Sequence, residues 1–219
     1  MKYIGIVDYH KPYILLLENV KNILTIDGGN VGKTIESKLD ELGYILHKNI
    51  LNASYFGIPQ ARERAYFVAL RKDMKTSNKR ALDYNTPKAN RKNIFLEDIL
   101  ETNADADFFI NRKDIRVLKK EYEVENKLEP IRVGIVRKDL QPKRTRYNSI
   151  GLLVGGVGAR TGLYKTLQGI RRLTITEAKK VMGFPVYHIV SEGVQGYRQL
   201  GNAVVPEMIG HVYDSIKVL

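Results

Sequence analysis

The sequence contains no cysteine among its 219 residues. This excludes disulfides, thiolate zinc sites and a cysteine nucleophile within the chain. No apolar run approaches the length of a membrane span, and residues 1–12 lack the apolar core of a signal peptide, so we expect a cytoplasmic protein. Glycine (18) and proline (7) are ordinary in number and 43% of the residues are hydrophobic, which favours a globular protein with its own core.

The formal net charge of +12 is concentrated in one stretch of the chain. Residues 131–180 hold twelve Lys and Arg but two Asp and Glu, together with several glycines, whereas the remainder is nearly balanced. A field of one sign concentrates a polyanion and gains affinity by releasing its counterions. The charge therefore favours nucleic acid, although an acidic protein, an anionic lipid surface or a plain solvated face would suit it too.

An apolar run at residues 13–17 follows Pro12 and is typical of a strand buried on both faces of a parallel sheet. Glu18 and Asn19 come directly after it. Open α/β sheets bind ligands at the carboxyl ends of their strands. We therefore expect Glu18 to lie where chemistry occurs, with a helix-capping or loop-tethering carboxylate as the alternative.

The next segments alternate between helical and extended patterns. Apolar residues from Val31 to Leu42 recur at helical spacing, and Gly43 offers a left-handed stop. Residues 44–51 and 65–70 resemble strands. This alternation predicts an α/β architecture.

The second half of the chain predicts loops, short strands and two late helices. Residues 131–136 resemble a short strand. A helix opens at Thr174, which has capping-box spacing with Glu177, and Gly183 and Pro185 end it. A last helix begins near Pro206. Its expected apolar stripe consists of Met208, Ile209, Val212, Ile216 and Val218.

Two further blocks contain polar groups suited to a ligand. Arg62 and Arg64 lie two residues apart as the chain enters a strand, so we expect both side chains on one side, where they could bind carboxylate, phosphate or a base carbonyl. The alternative is a surface ion-pair network with Glu63. In the block from Gly201 to Val204, Asn202 offers both a donor and an acceptor, and its alternative role is a helix cap.

Four blocks in this order resemble the C-terminal part of the bacterial C5-cytosine DNA methyltransferases. They are Glu18-Asn19-Val20, Gln60 to Arg64, Arg171 or Arg172 through Pro185, and Gly201 to Val204. The resemblance implies an α/β fold comprising the C-terminal part of a doubly wound methyltransferase sheet and a smaller, loop-rich target-recognition domain. It divides the chain into a partial catalytic domain at 1–79, a DNA target-recognition domain at 80–200, and a segment at 201–219 that returns to the catalytic domain.

The resemblance also implies a reaction. A cytosine is flipped out of the duplex, a cysteine thiolate attacks C6, and C5 takes a methyl group from S-adenosylmethionine. Glu18 then acts at N3 of the base, since a carboxyl at a buried strand end favours its neutral form. Arg64 contacts the base O2 and Arg62 braces the site. Asn202 lies beside the cofactor, and Ala203 replaces a residue that is often serine.

Within the basic stretch, the resemblance implies contacts to double-stranded DNA. Long polar side chains would read bases in the major groove, while lysines and arginines would hold phosphates. The candidates for base reading are Gln141, Arg144 and Ser149, and those for phosphate contact are Lys138, Lys143, Arg146 and Arg160.

Two parts of the family pattern are missing from these residues: the glycine-rich cofactor loop and the Pro-Cys nucleophile. We therefore expect a split enzyme, inactive alone, whose complementary methyltransferase chain supplies both parts, in a restriction-modification setting. The alternatives are a non-catalytic DNA-binding remnant or regulator derived from the family, and a gene fragment that does not fold stably.

Overall fold

The structure is a computed structural model that describes residues 2–75, 82–89, 98–109, 131–133, 163–166 and 168–218. Its helices are α1 (Lys2–His10), α2 (Asn30–Glu41), α3 (Ile175–Val181), α4 (Gly193–Asn202) and α5 (Pro206–Asp214). Its strands are β1 (Ile14–Val20), β2 (Tyr44–Asn52), β3 (Glu63–Arg71), β4 (Leu82–Tyr84), β5 (Ile131–Val133), β6 (Leu163–Thr166), β7 (Gly169–Arg171) and β8 (Ile216–Val218). Single 3-10 turns lie at Lys21–Leu24, Ile26–Gly29, Ala53–Phe56, Lys72–Lys75 and Ala106–Phe108.

The chain forms two compact units. The first comprises residues 1–52, 63–89 and 207–219, and the second comprises 53–62 and 90–206. The second unit therefore includes the short connection between β2 and β3. Among the described residues, no helix is long and apolar enough to cross a membrane.

The sheet of the first unit has the strand order β1-β3-β2, and both outer strands run antiparallel to β3. The expectation of a first strand within a parallel sheet is wrong for the described pairings, because the two strands that share a direction, β1 and β2, are not neighbours. Full burial of that strand is wrong too, since residues 14–18 are only half-buried. An apolar run indicates burial, but it does not reveal the direction of the partner strand.

The core of the first unit lies between this sheet and its helices. The middle of β3 is buried, and Phe67 packs with Ile35 and Leu39 of α2. The prediction of α2 from its apolar spacing is confirmed, and Gly43 adopts φ +84°, a left-handed conformation that glycine tolerates without strain. Tyr44 begins β2 fully buried, and its hydroxyl donates to the Pro12 carbonyl at 2.6 Å.

The chain's last segment follows the sequence expectation only in part. The start of α5 at Pro206 is confirmed, and Met208 and Val212 are buried. The helix ends at Asp214, however, and Ile216 and Val218 belong to β8, which pairs antiparallel with β4. Helical spacing of apolar residues in the sequence therefore does not show where the helix ends, because the last of these residues can belong to a strand.

The second unit contains the antiparallel sheet β5-β6-β7 and helices α3 and α4. The expected capping box is confirmed: the Thr174 hydroxyl accepts from the Glu177 backbone N–H at 3.1 Å, and the Glu177 carboxylate accepts from the Thr174 N–H at 2.7 Å. Gly183 has φ +71° just beyond the helix end. The strand expected at 131–136 is observed as β5 at 131–133, and residues 134–136 lie outside the described part.

Candidate functional site

Glu18 and Arg64 form an ion pair in the first unit. The register of β1 on β3 sets Glu18 opposite Tyr66 and Val20 opposite Arg64, so Glu18 and Arg64 are diagonal neighbours on one face of the sheet. The Arg64 Nε lies 3.1 Å from the Glu18 Oε1, and the two side chains are 11% and 15% exposed. Two candidates that are 46 positions apart in the chain are thus brought into direct contact.

The surroundings of this pair bear on one alternative left open by the sequence, a surface ion-pair network of the arginines with Glu63. Glu63 does not share Arg64 in a surface network, because its carboxylate pairs with Lys21 at 2.5 Å. The Arg64 Nη1 instead donates to the backbone carbonyl of Glu63 at 2.9 Å. In the structure, Glu18 is held by its charge partner as well as by the strand.

Arg62 belongs to the second unit and has a different environment. The expectation that it shares one side with Arg64 assumed an extended chain, but regular strand structure begins only at Glu63. Before that point the backbone makes two tight hydrogen bonds across one residue, from Gln60 N–H to Ile58 O at 2.7 Å and from Arg62 N–H to Gln60 O at 2.9 Å. The alternation of a strand therefore does not apply to Arg62.

The Arg62 guanidinium binds two backbone carbonyls. Arg62 is 3% exposed, and its Nη2 donates to the carbonyls of Gly201 at 3.1 Å and Ala203 at 2.7 Å. These carbonyls flank Asn202, the last residue of α4. The sequence pattern predicts a role for each of these residues but no contact between them.

Asn202 is exposed at the end of α4, and Ala203 caps that helix in an extended conformation. The alternative role of Asn202 as a cap at a helix entry is wrong, since α5 begins only at Pro206. Arg62 binds the carbonyls of the residues on either side, and the exposed side chain of Asn202 carries an amide that can contact a ligand. An exposed amide of this kind can both donate to and accept from a polar ligand.

The second unit also contains a buried polar network that the sequence pattern does not predict. Arg171 and Glu177 form a two-pronged ion pair with distances of 2.8 and 2.7 Å, and their side chains are 1% and 0% exposed. Glu177 also accepts from the Glu101 backbone N–H at 2.6 Å. The capping box was the visible signal, but nothing in the spacing showed that its glutamate is also the partner of a buried arginine.

All seven candidate DNA contacts lie outside the described residues. They are Lys138, Gln141, Lys143, Arg144, Arg146, Ser149 and Arg160.

The protein has an α/β fold, and its similarities to known proteins point to one class. The sequence profile of the family described as C-5 cytosine-specific DNA methylase matches residues 1–218. The chain therefore belongs to the C-5 cytosine-specific DNA methylase family.

Curated relatives support this membership, and a solved structure shares the fold. The chain is 34% identical to the type II methyltransferase M.HhaI of Haemophilus parahaemolyticus, covering 96% of this chain and 65% of that protein. It is 32% identical to M.BsuFI of Bacillus subtilis, covering 94% and 48%. A mutant of Spodoptera frugiperda DNMT2 shares the fold with a TM-score of 0.65 at 21% identity, covering 96% of this chain and 70% of that one. The chain thus spans between about half and two thirds of the length of these curated relatives.

Proposed function

We propose that this chain supplies the cytosine-contacting and target-reading part of a DNA (cytosine-5)-methyltransferase of a restriction-modification system. The reaction is transfer of a methyl group from S-adenosylmethionine to C5 of a flipped cytosine in duplex DNA. The observation that carries the proposal is the ion pair of Glu18 and Arg64, with its 3.1 Å contact at the end of β1. Family membership supports the type of reaction, while the roles of individual residues are part of the proposal.

The two side chains match the edge of a cytosine. The O2 and N3 atoms of the base are adjacent acceptors, so a guanidinium can donate to O2 while a protonated carboxyl group donates to N3. When a nucleophile adds to C6, negative charge spreads toward these two atoms. Donors fixed by strand register stabilise that charge without having to reorganise during the reaction. To donate at N3, Glu18 takes up a proton from solvent when the base displaces it from Arg64, and it then acts as the acid of the site.

S-Adenosylmethionine would supply the methyl group when bound, and in this chain Asn202 would hold one polar edge of it. Ala203 has no polar side chain to add to that contact. The 219 residues contain no cysteine. The nucleophile and the glycine-rich cofactor loop therefore come from polypeptide outside them, which the split-enzyme hypothesis assigns to a separate complementary chain.

Reconstitution tests the proposal. The chain is mixed with a polypeptide that carries the glycine-rich loop and the Pro-Cys segment, and transfer of labelled methyl groups to duplex DNA is measured. Methylation by the mixture, and not by either component, is the expected result. Tight DNA binding without methylation, although a complex of the two polypeptides forms, would instead support the non-catalytic DNA-binding remnant or regulator.

The basic stretch at 131–180 is proposed to hold and read the DNA, and salt dependence tests this role separately. Each phosphate contact contributes about 0.9 to the slope of log affinity against log salt. Replacing Lys138 and Lys143 with glutamine should therefore lower that slope by about 1.8. The matched control replaces two lysines outside this stretch, Lys38 and Lys48, and should leave the slope unchanged. Equal slopes for all three proteins would exclude the proposed phosphate contacts.

A further inference from the structure

The end of α4 is joined to the connection between β2 and β3 by a buried arginine. Arg62, at 3% exposure, donates from Nη2 to the carbonyls of Gly201 and Ala203 at 3.1 and 2.7 Å. Asn202 stands between these carbonyls with its side chain exposed. We propose that Arg62 is a positioning residue that sets the direction of the Asn202 side chain and thereby controls binding of the cofactor.

Helix geometry explains why an arginine is effective here. The last carbonyls of a helix have no partner within the helix and carry partial negative charge. One guanidinium nitrogen satisfies a carbonyl from the last turn of α4 and the carbonyl of its cap, Ala203. The Gly201 carbonyl belongs to the peptide group before Asn202, and the peptide group after Asn202 is held by the hydrogen bond from Ala203 N–H to Leu200 O at 3.2 Å. With Ala203 O bound to Arg62 as well, the backbone around Asn202, and with it the direction of its Cβ, is fixed.

Arg62 is itself firmly placed. Its backbone carbonyl accepts from the Ala53 N–H at 3.0 Å, which closes the connection of residues 53–62. Gln60 in the same connection is fully buried, and its Nε2 lies 3.2 Å from the Sδ of Met182, which caps α3. The connection thus contacts the ends of both α3 and α4. Because Arg62 is held in this connection, it can hold the backbone around Asn202 in place.

This role separates the two arginines of the block. Arg64 pairs with the carboxylate of Glu18, whereas Arg62 is bound to backbone carbonyls in the second unit. Through Nη2, Arg62 holds two carbonyls at the end of α4, whereas Arg64 holds the carboxylate that is proposed to act on the base. We therefore assign Arg62 to positioning and keep the catalytic role for Arg64 and Glu18.

Backbone hydrogen exchange of the 219-residue chain tests the anchoring step without any catalysis. Arg62→Lys replaces the planar fork with a point donor and should speed exchange of the Ala203, Val204 and Val205 amides about tenfold, while Tyr197 in α4 stays protected. Arg198→Lys, an exposed change on the same helix, should leave all of these rates unchanged. Unchanged exchange at 203–205 in Arg62→Lys would overturn the proposal, as would equal acceleration along the whole of α4.

Kinetics of the reconstituted enzyme test the link to the cofactor, and this part rests on the proposed function. Arg62→Lys should raise the KM for S-adenosylmethionine about tenfold and change the KM for DNA little. In an Asn202→Ala background the same change should have no further effect, because its target is gone. Independent, multiplying effects of the two substitutions would overturn the coupling. If no preparation methylates DNA, the proposed function fails while the exchange result still decides the anchoring.

Discussion

The buried carboxylate of Glu177 offers a sharp test of the energetics of the second unit. It accepts four hydrogen bonds: Oε1 from Arg171 Nη2 at 2.7 Å and Glu101 N–H at 2.6 Å, and Oε2 from Arg171 Nη1 at 2.8 Å and Thr174 N–H at 2.7 Å. Glu177→Gln places an amide nitrogen where one oxygen was. In either orientation, the amide nitrogen, itself a donor, points at two donors that have lost their acceptor. The arginine also loses its counter-charge.

The expected cost is large because both partners are withdrawn from water. Removing one member of a buried ion pair costs about 3–5 kcal/mol, since the remaining charge is left uncompensated. We expect Glu177→Gln to lower the free energy of unfolding by this amount. Adding Arg171→Met should cost less than the sum of the two single changes, because the uncompensated charge disappears with the arginine.

Urea unfolding followed by circular dichroism measures these changes. Glu192→Gln is the control: the residue is exposed just before α4 and its side chain makes no capping hydrogen bond, so a change below about 0.5 kcal/mol is expected. A loss of less than about 1 kcal/mol for Glu177→Gln would refute the reasoning from charge burial. Additive costs in the double variant would refute the pairing of Arg171 with Glu177.

Two other predictions concern α4 and α5. Gly196→Ala should destabilise the protein by several kcal/mol although alanine favours helices, because the new Cβ would lie 2.0 Å from a backbone oxygen. Gly210 in α5 has open space around it, so Gly210→Ala should raise the free energy of unfolding by up to about 1 kcal/mol. Urea unfolding that ranks the two variants the other way would contradict this packing. Burial raises the pKa of Tyr197 from 10.0 to about 12, so the folded state keeps a proton that the unfolded state loses first. The free energy of unfolding should therefore fall by about 2 kcal/mol between pH 10 and 12. Tyr197→Phe should remove this part of the slope, and an unchanged slope in unfolding curves across that range would show that the hydroxyl is not the source.

The local patterns in the sequence predicted local structure well. The spacing of Ile35 and Leu39, the left-handed Gly43 and the capping box at Thr174 each depend on neighbours within one turn of chain. Such features follow from dihedral preferences and side-chain periodicity alone. The start of α5 at Pro206 belongs to the same group.

Features that depend on distant partners were not predictable in the same way. The apolar run before Glu18 indicated a strand, but strand direction and edge position depend on pairing with β3. Arg62 and Arg64 looked equivalent in the sequence, and the tight backbone turns ahead of β3 separate their environments. The buried pair of Arg171 and Glu177 depends on the tertiary structure that surrounds it with Glu101 and Thr174, and sequence spacing does not show this environment.

The measurement that tests the central claim most directly is methyl transfer by the reconstituted enzyme with Glu18→Gln. Glutamine keeps the size of the side chain but cannot donate a carboxylic proton to N3, so we expect a loss of at least about 100-fold in methylation rate, in the range of general acid catalysis. DNA binding should persist, and Glu41→Gln, an exposed change on α2, should leave the rate unaltered. Methylation by Glu18→Gln at the rate of the unaltered chain would contradict the assignment of Glu18 as the residue that acts on the cytosine.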